Sequence, residues 1–198
     1  MSNYKKKLNL NLYSYGYTLN FLNLKNKKFL YSALCNLVNQ HNKFNLHGIE
    51  LPIDTFFKSS KEFEIFYEKY SSKYKFFICF DNINNITIEA LNILKKFNIK
   101  NIRIRMNQDK PVIYGGNKFL IRNFEDKITN FKLKISQFKN YFLDNGFYFC
   151  IENHQDINSI DINNIINELG DDFIGVNWDI GNSIACGETP DDFYNNTS

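Results

Sequence analysis

The sequence predicts an α/β fold of repeated βα units, an incomplete (β/α)8 barrel with about six such units. Three observations predict it. Short β-rich runs alternate with longer stretches whose apolar residues recur near the helical period. The first candidate strand leads into Ser14-Tyr15-Gly16-Tyr17, which lacks the glycine-rich phosphate loop that usually announces an open doubly wound sheet. Polar residues end several candidate strands, which is where parallel α/β folds collect their working groups. With 198 residues the chain fits a single domain, 1–198, long enough to bury a sizeable core.

The elements follow in order. Leu8 to Tyr13 reads as the first strand. A helix is expected from about Lys28 to Gln40, with Phe29, Leu30, Ala33, Leu34 and Leu37 on one face. His47 to Leu51 is the second strand, stopped by Pro52, and Phe63 to Tyr70 the next helix. Tyr74 to Phe80 forms a third strand ending at Asp81. Thr87 can cap a helix carrying Ile88, Leu91, Leu94 and Phe97. Asn101 to Met106 is the fourth strand, followed by a loop with Gly115-Gly116. Phe124, Ile128, Phe131, Ile135, Phe138 and Phe142 then recur at steps of four and three, predicting one long helix closed by Asn145-Gly146. Phe147 to Asn153 is the fifth strand. Ile160, Ile165, Ile166 and Leu169 line a helix that Gly170 stops, and Phe173 to Asp179 is the sixth strand. Thr189-Pro190-Asp191-Asp192 is a strong helix start, with a capping Thr, Pro in the first turn and acids at the positive end of the dipole. Only about two turns follow it, too short for a helix that covers a barrel strand. Strands one and six of a six-stranded barrel would be open edges, so a C-terminal truncation is the expectation here.

Composition narrows the function classes. Hydrophobic residues make up 43%, much of it from 20 Phe and 12 Tyr, which indicates a globular chain. The net charge is only +3, with lysines scattered apart from Lys5-Lys7 and Lys25-Lys28, so no basic stripe marks a nucleic-acid footprint. No apolar run approaches the ~18 residues of a membrane span. Cys35, Cys79, Cys150 and Cys186 are widely spaced, and Met1-Ser2-Asn3-Tyr4 has no signal-peptide character. Reduced thiols in a soluble, cytoplasmic protein are therefore expected.

Strand alternation decides which polar residues share a face. Glu50 ends the second strand, Arg103 and Arg105 lie between Ile102, Ile104 and Met106 on the fourth, and Glu152 ends the fifth with His154 two residues on. Asp179 ends the sixth, opposite Ile174, Val176 and Trp178. With the apolar residues turned to the outer helices, these charges point into the barrel mouth. A buried carboxylate needs a partner. A divalent cation held by Glu152 and Asp179 would serve, and so would plain ion pairs to the arginines. Both readings stand on pattern alone. His154 contacts substrate or takes a helix-capping or loop role; Glu50 contacts substrate or pairs with Arg103 or Arg105; Arg105 binds a phosphate or sugar hydroxyl or is structural. Asp81 is a weaker candidate, and His41 and His47 are read as incidental. Asn182 is expected to shape the turn after Asp179, with Gly181 permitting its backbone conformation. Trp178 is read as core, and Tyr15 and Tyr17 as lining for the mouth.

The runs Glu152-Asn153-His154, Asp179-Ile180-Gly181-Asn182 and Gly187-Glu188-Thr189-Pro190 resemble the xylose isomerase-like TIM-barrel family of sugar phosphate isomerases and epimerases. Gly48-Ile49-Glu50-Leu51 and Ile102-Arg103-Ile104-Arg105 resemble its second and fourth strands. The likeness spans nearly the whole chain and is specific from about Phe149 to Pro190. It implies one divalent metal, Mn or Mg first and Co or Zn next, with Glu152 and Asp179 as two of four ligands. The other two, a His and a final Glu, fall on strands beyond this sequence. It also implies that Glu152 is one half of a carboxylate acid/base pair acting beside a carbonyl, with the absent Glu as the other half.

A metal-dependent sugar or sugar-phosphate isomerase or epimerase is thus the leading expectation, acting on a small sugar or polyol. A dehydratase on a cyclic polyol or a dehydroshikimate-type substrate is the alternative within the same superfamily. A non-catalytic partial barrel is the alternative outside it. An endonuclease IV-type enzyme needs several zinc-binding histidines, and the chain has three in all. Oligomeric state is open, with a homo-oligomer among the expectations.

Overall fold

The computed structural model describes residues 7–15, 31–52, 60–80, 82–106 and 123–197. Tyr17, Asp81, the Gly115-Gly116 loop and the start of the first predicted helix lie outside them. The chain forms two compact units, Met1–Cys79 and Phe80–Ser198.

The first unit holds strands β1 (Asn9–Asn11), β2 (Gly48–Pro52) and, up to Cys79, β3 (Lys75–Phe80), with helices α1 (Tyr31–Gln40) and α2 (Ser60–Tyr70). β2 lies between β1 and β3, and both pairings are parallel. The first strand is shorter than its apolar run predicts, because the chain turns into a 3-10 helix at Leu12–Tyr15. Leu34, Leu37 and Val38 of α1 and Phe63, Phe66 and Tyr70 of α2 are buried, as their spacing requires. Gly48 is needed for close approach: a Cβ there would stand 2.7 Å from the Lys75 carbonyl oxygen.

The second unit holds helix α3 (Ile88–Lys96), strand β4 (Asn101–Arg105), helices α4 (Phe124–Ser136) and α5 (Lys139–Asn145), strand β5 (Tyr148–Glu152), helix α6 (Ser159–Leu169), strand β6 (Ile174–Asn177), and helices α7 (Ile180–Ala185) and α8 (Pro190–Thr197). β5 pairs in parallel with β4 on one side and β6 on the other. Thr87 caps α3 as predicted, accepting from the Ala90 amide at 3.2 Å. The helix expected to run unbroken through Phe142 is two helices. At the junction the Phe138 amide reaches back only three residues, to Ile135, while the Ser136 hydroxyl also bonds the Leu133 carbonyl at 2.8 Å. The apolar face survives the break: Ile128, Phe131, Ile135, Phe138 and Phe142 are all buried. Phe142 packs against Phe147, Phe149 and Phe173 at ring-centroid distances of 6.0, 5.8 and 5.9 Å.

This packing fixes which way the strands face. On β4, Ile102 and Ile104 are buried while Arg103 and Arg105 are half-buried. On β5, Phe149 and Ile151 turn to the helices, so Tyr148, Cys150 and Glu152 share the other face. The parallel register sets Arg103 beside Cys150, and Arg105 beside Glu152.

Candidate functional site at the ends of strands β4 to β6

Glu152 is the last residue of β5 and is buried. Its Oε2 forms an ion pair with Arg103, and the two side chains are 9% and 10% exposed. The ion-pair reading of the sequence is thus realised for this carboxylate. One residue past the strand the chain turns, the His154 amide donating to the Glu152 carbonyl at 2.9 Å. The His154 ring meets Arg105, 3.3 Å from its guanidinium. A guanidinium can only donate, so Nε2 of His154 accepts and the ring is neutral with its proton on Nδ1. The N-terminus of α6 is capped by Asn158 rather than His154, Asn158 accepting from the Asp161 amide at 2.9 Å.

Asp179 differs from its expected setting. Strand β6 ends at Asn177, and Asp179 lies two residues later as the exposed N-cap of α7, its backbone still extended at φ −98° and ψ 106°. Its Oδ1 accepts from the amides of Gly181 and Asn182 at 3.0 and 3.4 Å, and its Oδ2 from the Asn182 side chain at 3.0 Å. Asn182 shapes the turn as predicted. Gly181 serves it differently: a Cβ there would lie 3.3 Å from Asp179 Oδ1, so the glycine leaves room for the carboxylate. Trp178 is not core. It is 37% exposed, stacks on Phe193 of α8 at 5.2 Å with a 7° interplanar angle, and donates to Ser183 at 2.9 Å.

The residue sequence reasoning passed over is Asn153. Its side chain is buried and brackets the Asp179 backbone: Nδ2 donates to the Asp179 carbonyl at 2.9 Å, and Oδ1 accepts from the Asp179 amide at 2.6 Å. Glu188, from the Gly-Glu-x-Pro turn, accepts from the Ser159 amide at 2.9 Å and from the Ser159 hydroxyl, tying that turn to the start of α6.

Glu50 sits half-buried on β2 in the first unit, in register with Asn11 and Phe77. In that unit His41 ties the end of α1 to Tyr15. Its Nδ1 donates to the Leu37 carbonyl at 2.9 Å, leaving Nε2 to accept from Tyr15 at 2.9 Å. His47 is half-buried, and desolvation, then Lys7 and Lys75, hold its pKa below the ordinary imidazole value.

Among the described residues no group of three or more His, Cys, Asp or Glu side chains comes together to hold a metal. The donor pair Glu152 and Asp179 is all carboxylate oxygen. That chemistry suits a hard cation such as Mg or Mn, which keeps several waters and takes one or two protein carboxylates. No described helix is long and apolar enough to cross a membrane.

No family model matches this sequence, and no curated protein matches it. Solved structures do. A xylose isomerase-like TIM barrel protein from Mycobacterium smegmatis, in complex with magnesium, superposes with a TM-score of 0.67 at 13% identity, covering 100% of this chain and 73% of its own. A D-tagatose 3-epimerase-like protein gives 0.66 at 13% identity, over 97% of this chain and 71% of that one. The probable 3-DHS dehydratase AsbF involved in petrobactin synthesis from Bacillus anthracis gives 0.65 at 14%, over 97% and 69%. Alternating parallel strands and helices with these matches make the fold that of the xylose isomerase-like TIM barrels, over about seven-tenths of their length.

Proposed function

We propose that the chain carries the β4–β6 side of a metal-dependent isomerase or epimerase site for a small sugar, sugar phosphate or polyol. The observation that carries this reading is the burial of Glu152 at the end of a parallel strand, charge-compensated by Arg103 and followed at once by His154 beside Arg105. Glu152 and Asp179 would hold the cation. When bound, Mg or Mn polarises the substrate oxygens and offsets negative charge developing on them. Glu152 takes a proton from, or delivers one to, the carbon next to the substrate carbonyl, as one half of a carboxylate acid/base pair. Arg103 holds that carboxylate in place while it does so. Arg105 offers N–H donors to a hydroxyl or phosphate oxygen, and His154 offers a neutral ring that can donate from Nδ1. Burial of Glu152 excludes water from the transferred proton.

A dehydratase on a cyclic polyol is the second reading, favoured by the fold similarity to the probable 3-DHS dehydratase. Both begin with removal of a proton beside a carbonyl, and their products separate them. The full-length protein, loaded with Mn or Mg in deuterated water, is given a panel of ketoses, aldoses, their phosphates and dehydroshikimate. Deuterium entering the carbon beside the carbonyl, seen by NMR, is the expected result, with Glu152→Gln slower by about 10²–10⁴-fold. Loss of water to an unsaturated or aromatic product assigns the dehydratase. Neither outcome across the panel contradicts both readings.

A further inference from the structure

Asn153 and Asp179 are bonded as two strands are bonded, through one donor and one acceptor each. The Asn153 side-chain amide gives N–H to the Asp179 carbonyl at 2.9 Å and takes the Asp179 N–H at 2.6 Å. This happens just past the last residue of β6, where the strand ladder to β5 has ended at the pair Glu152 and Asn177. The side chain thus extends the ladder by one rung. Only a carboxamide offers a donor and an acceptor on one short planar group, so Asp, Ser or His cannot repeat the contact. Asn153 is 1% exposed. Its second Nδ2 bond, 3.2 Å, goes to Ser183 Oγ, which also accepts from Trp178 at 2.9 Å. Ser183 is itself fully buried on α7, the helix that Asp179 caps.

We infer that Asn153 is the positioning residue for Asp179: it fixes the backbone from which that carboxylate is presented, so that Glu152 and Asp179 face one cation together. The inference rests on the reading of Asp179 as a metal ligand. Exposed at the start of a six-residue helix, Asp179 would otherwise swing with a loop. The adjacent residues Glu152 and Asn153 then deliver both donors, one as ligand and the other through the backbone it grips. Such outer contacts tune metal affinity by about 10–100-fold.

The test uses the full-length protein with manganese chloride alone as the probe, and Trp178, the single tryptophan, as reporter. Wild-type emission is expected to change with Mn along a saturable curve that Asp179→Ala abolishes. Asn153→Ala should shift that curve to about 10–100-fold higher Mn. Ser183→Ala leaves both bonds to Asp179 in place, so it should lower the melting temperature of the metal-free protein without moving the curve. A structural role alone would make the two variants behave alike. Titration of the unaltered protein with Mg needs no variant to fold: the Asn153 side-chain and Asp179 backbone amide resonances should shift together. An Asn153→Ala curve at the wild-type position, or Asn153 resonances unmoved at saturation, overturns the positioning role alone. A flat wild-type curve, or one that Asp179→Ala leaves intact, overturns the metal reading and this inference with it.

Discussion

Arg103 on β4 and Glu152 on β5 form a diagonal ion pair, two residues out of register, with about a tenth of each side chain exposed, so each charge depends on the other. Removing the cation alone should be costly: Arg103→Leu is expected to lose about 3–5 kcal/mol in urea unfolding, while the double change with Glu152→Leu recovers most of it. Cys186 is set by similar physics. Burial, then the carboxylates of Asp156 and Glu188, push its thiol up to about 11, and its Sγ donates to the Ile157 carbonyl at 3.3 Å. Against a free thiol near 8.5, the thiolate at pH 8 is about 10²-fold scarcer, and alkylation by iodoacetamide should be slower in proportion. The sign for stability follows. The folded state keeps its proton longer than the unfolded one, so the contribution is full below about pH 9 and falls as pH rises towards 11. The faces of Arg103, Arg105 and Glu152 were legible in the sequence, since alternation in a strand is a strict period of two. Asn153 was not, because its parity puts it opposite Glu152 and its partner is backbone, which leaves no trace in residue type.

Helix and strand ends are where sequence and structure part. Five of the six strands are shorter than the run that marks them, because a run marks burial while a strand needs a neighbour to bond; β2 keeps its length but is shifted by one residue, so that Pro52 ends it from within. β6 ends at Asn177, and Asp179, expected as its last residue, caps α7 instead. The start signals were more dependable. Thr189 and Asp192 form a reciprocal capping box, Thr189 Oγ1 accepting from the Asp192 amide at 3.1 Å and Asp192 Oδ2 from the Thr189 amide at 3.0 Å. These bonds hold the Asp192 pKa below the usual carboxylate range, and the backbone and Thr87 do the same for Glu89. Both contributions are present at neutral pH and are lost as pH falls through the lowered values. The Gly-Glu-x-Pro turn has a structural use of its own. Glu188 clamps the first turn of α6 through Ser159, so Glu188→Ala should cost about 1–2 kcal/mol in chemical denaturation, as loss of a cap does.

At the scale of the molecule, the alternation of strands and helices was read correctly from periodicity, and the similarity to solved xylose isomerase-like barrels bears it out across 96–100% of the chain. The site was legible only in part. Glu152, Arg105 and His154 come together in one unit, with Arg103 and the Asn153–Asp179 contact beside them, while Glu50 belongs to the other. Sequence could place residues at strand ends but not weigh a cation against an ion pair for one carboxylate, since both satisfy the same charge. Thermal melting of the full-length protein with and without Mn or Mg decides that question most directly. Metal at about 100 times its Kd should add roughly 2.7 kcal/mol of stability, and Glu152→Ala and Asp179→Ala should each abolish the gain. A gain that survives both substitutions, or no gain in the unaltered protein, would contradict a metal held by these two carboxylates.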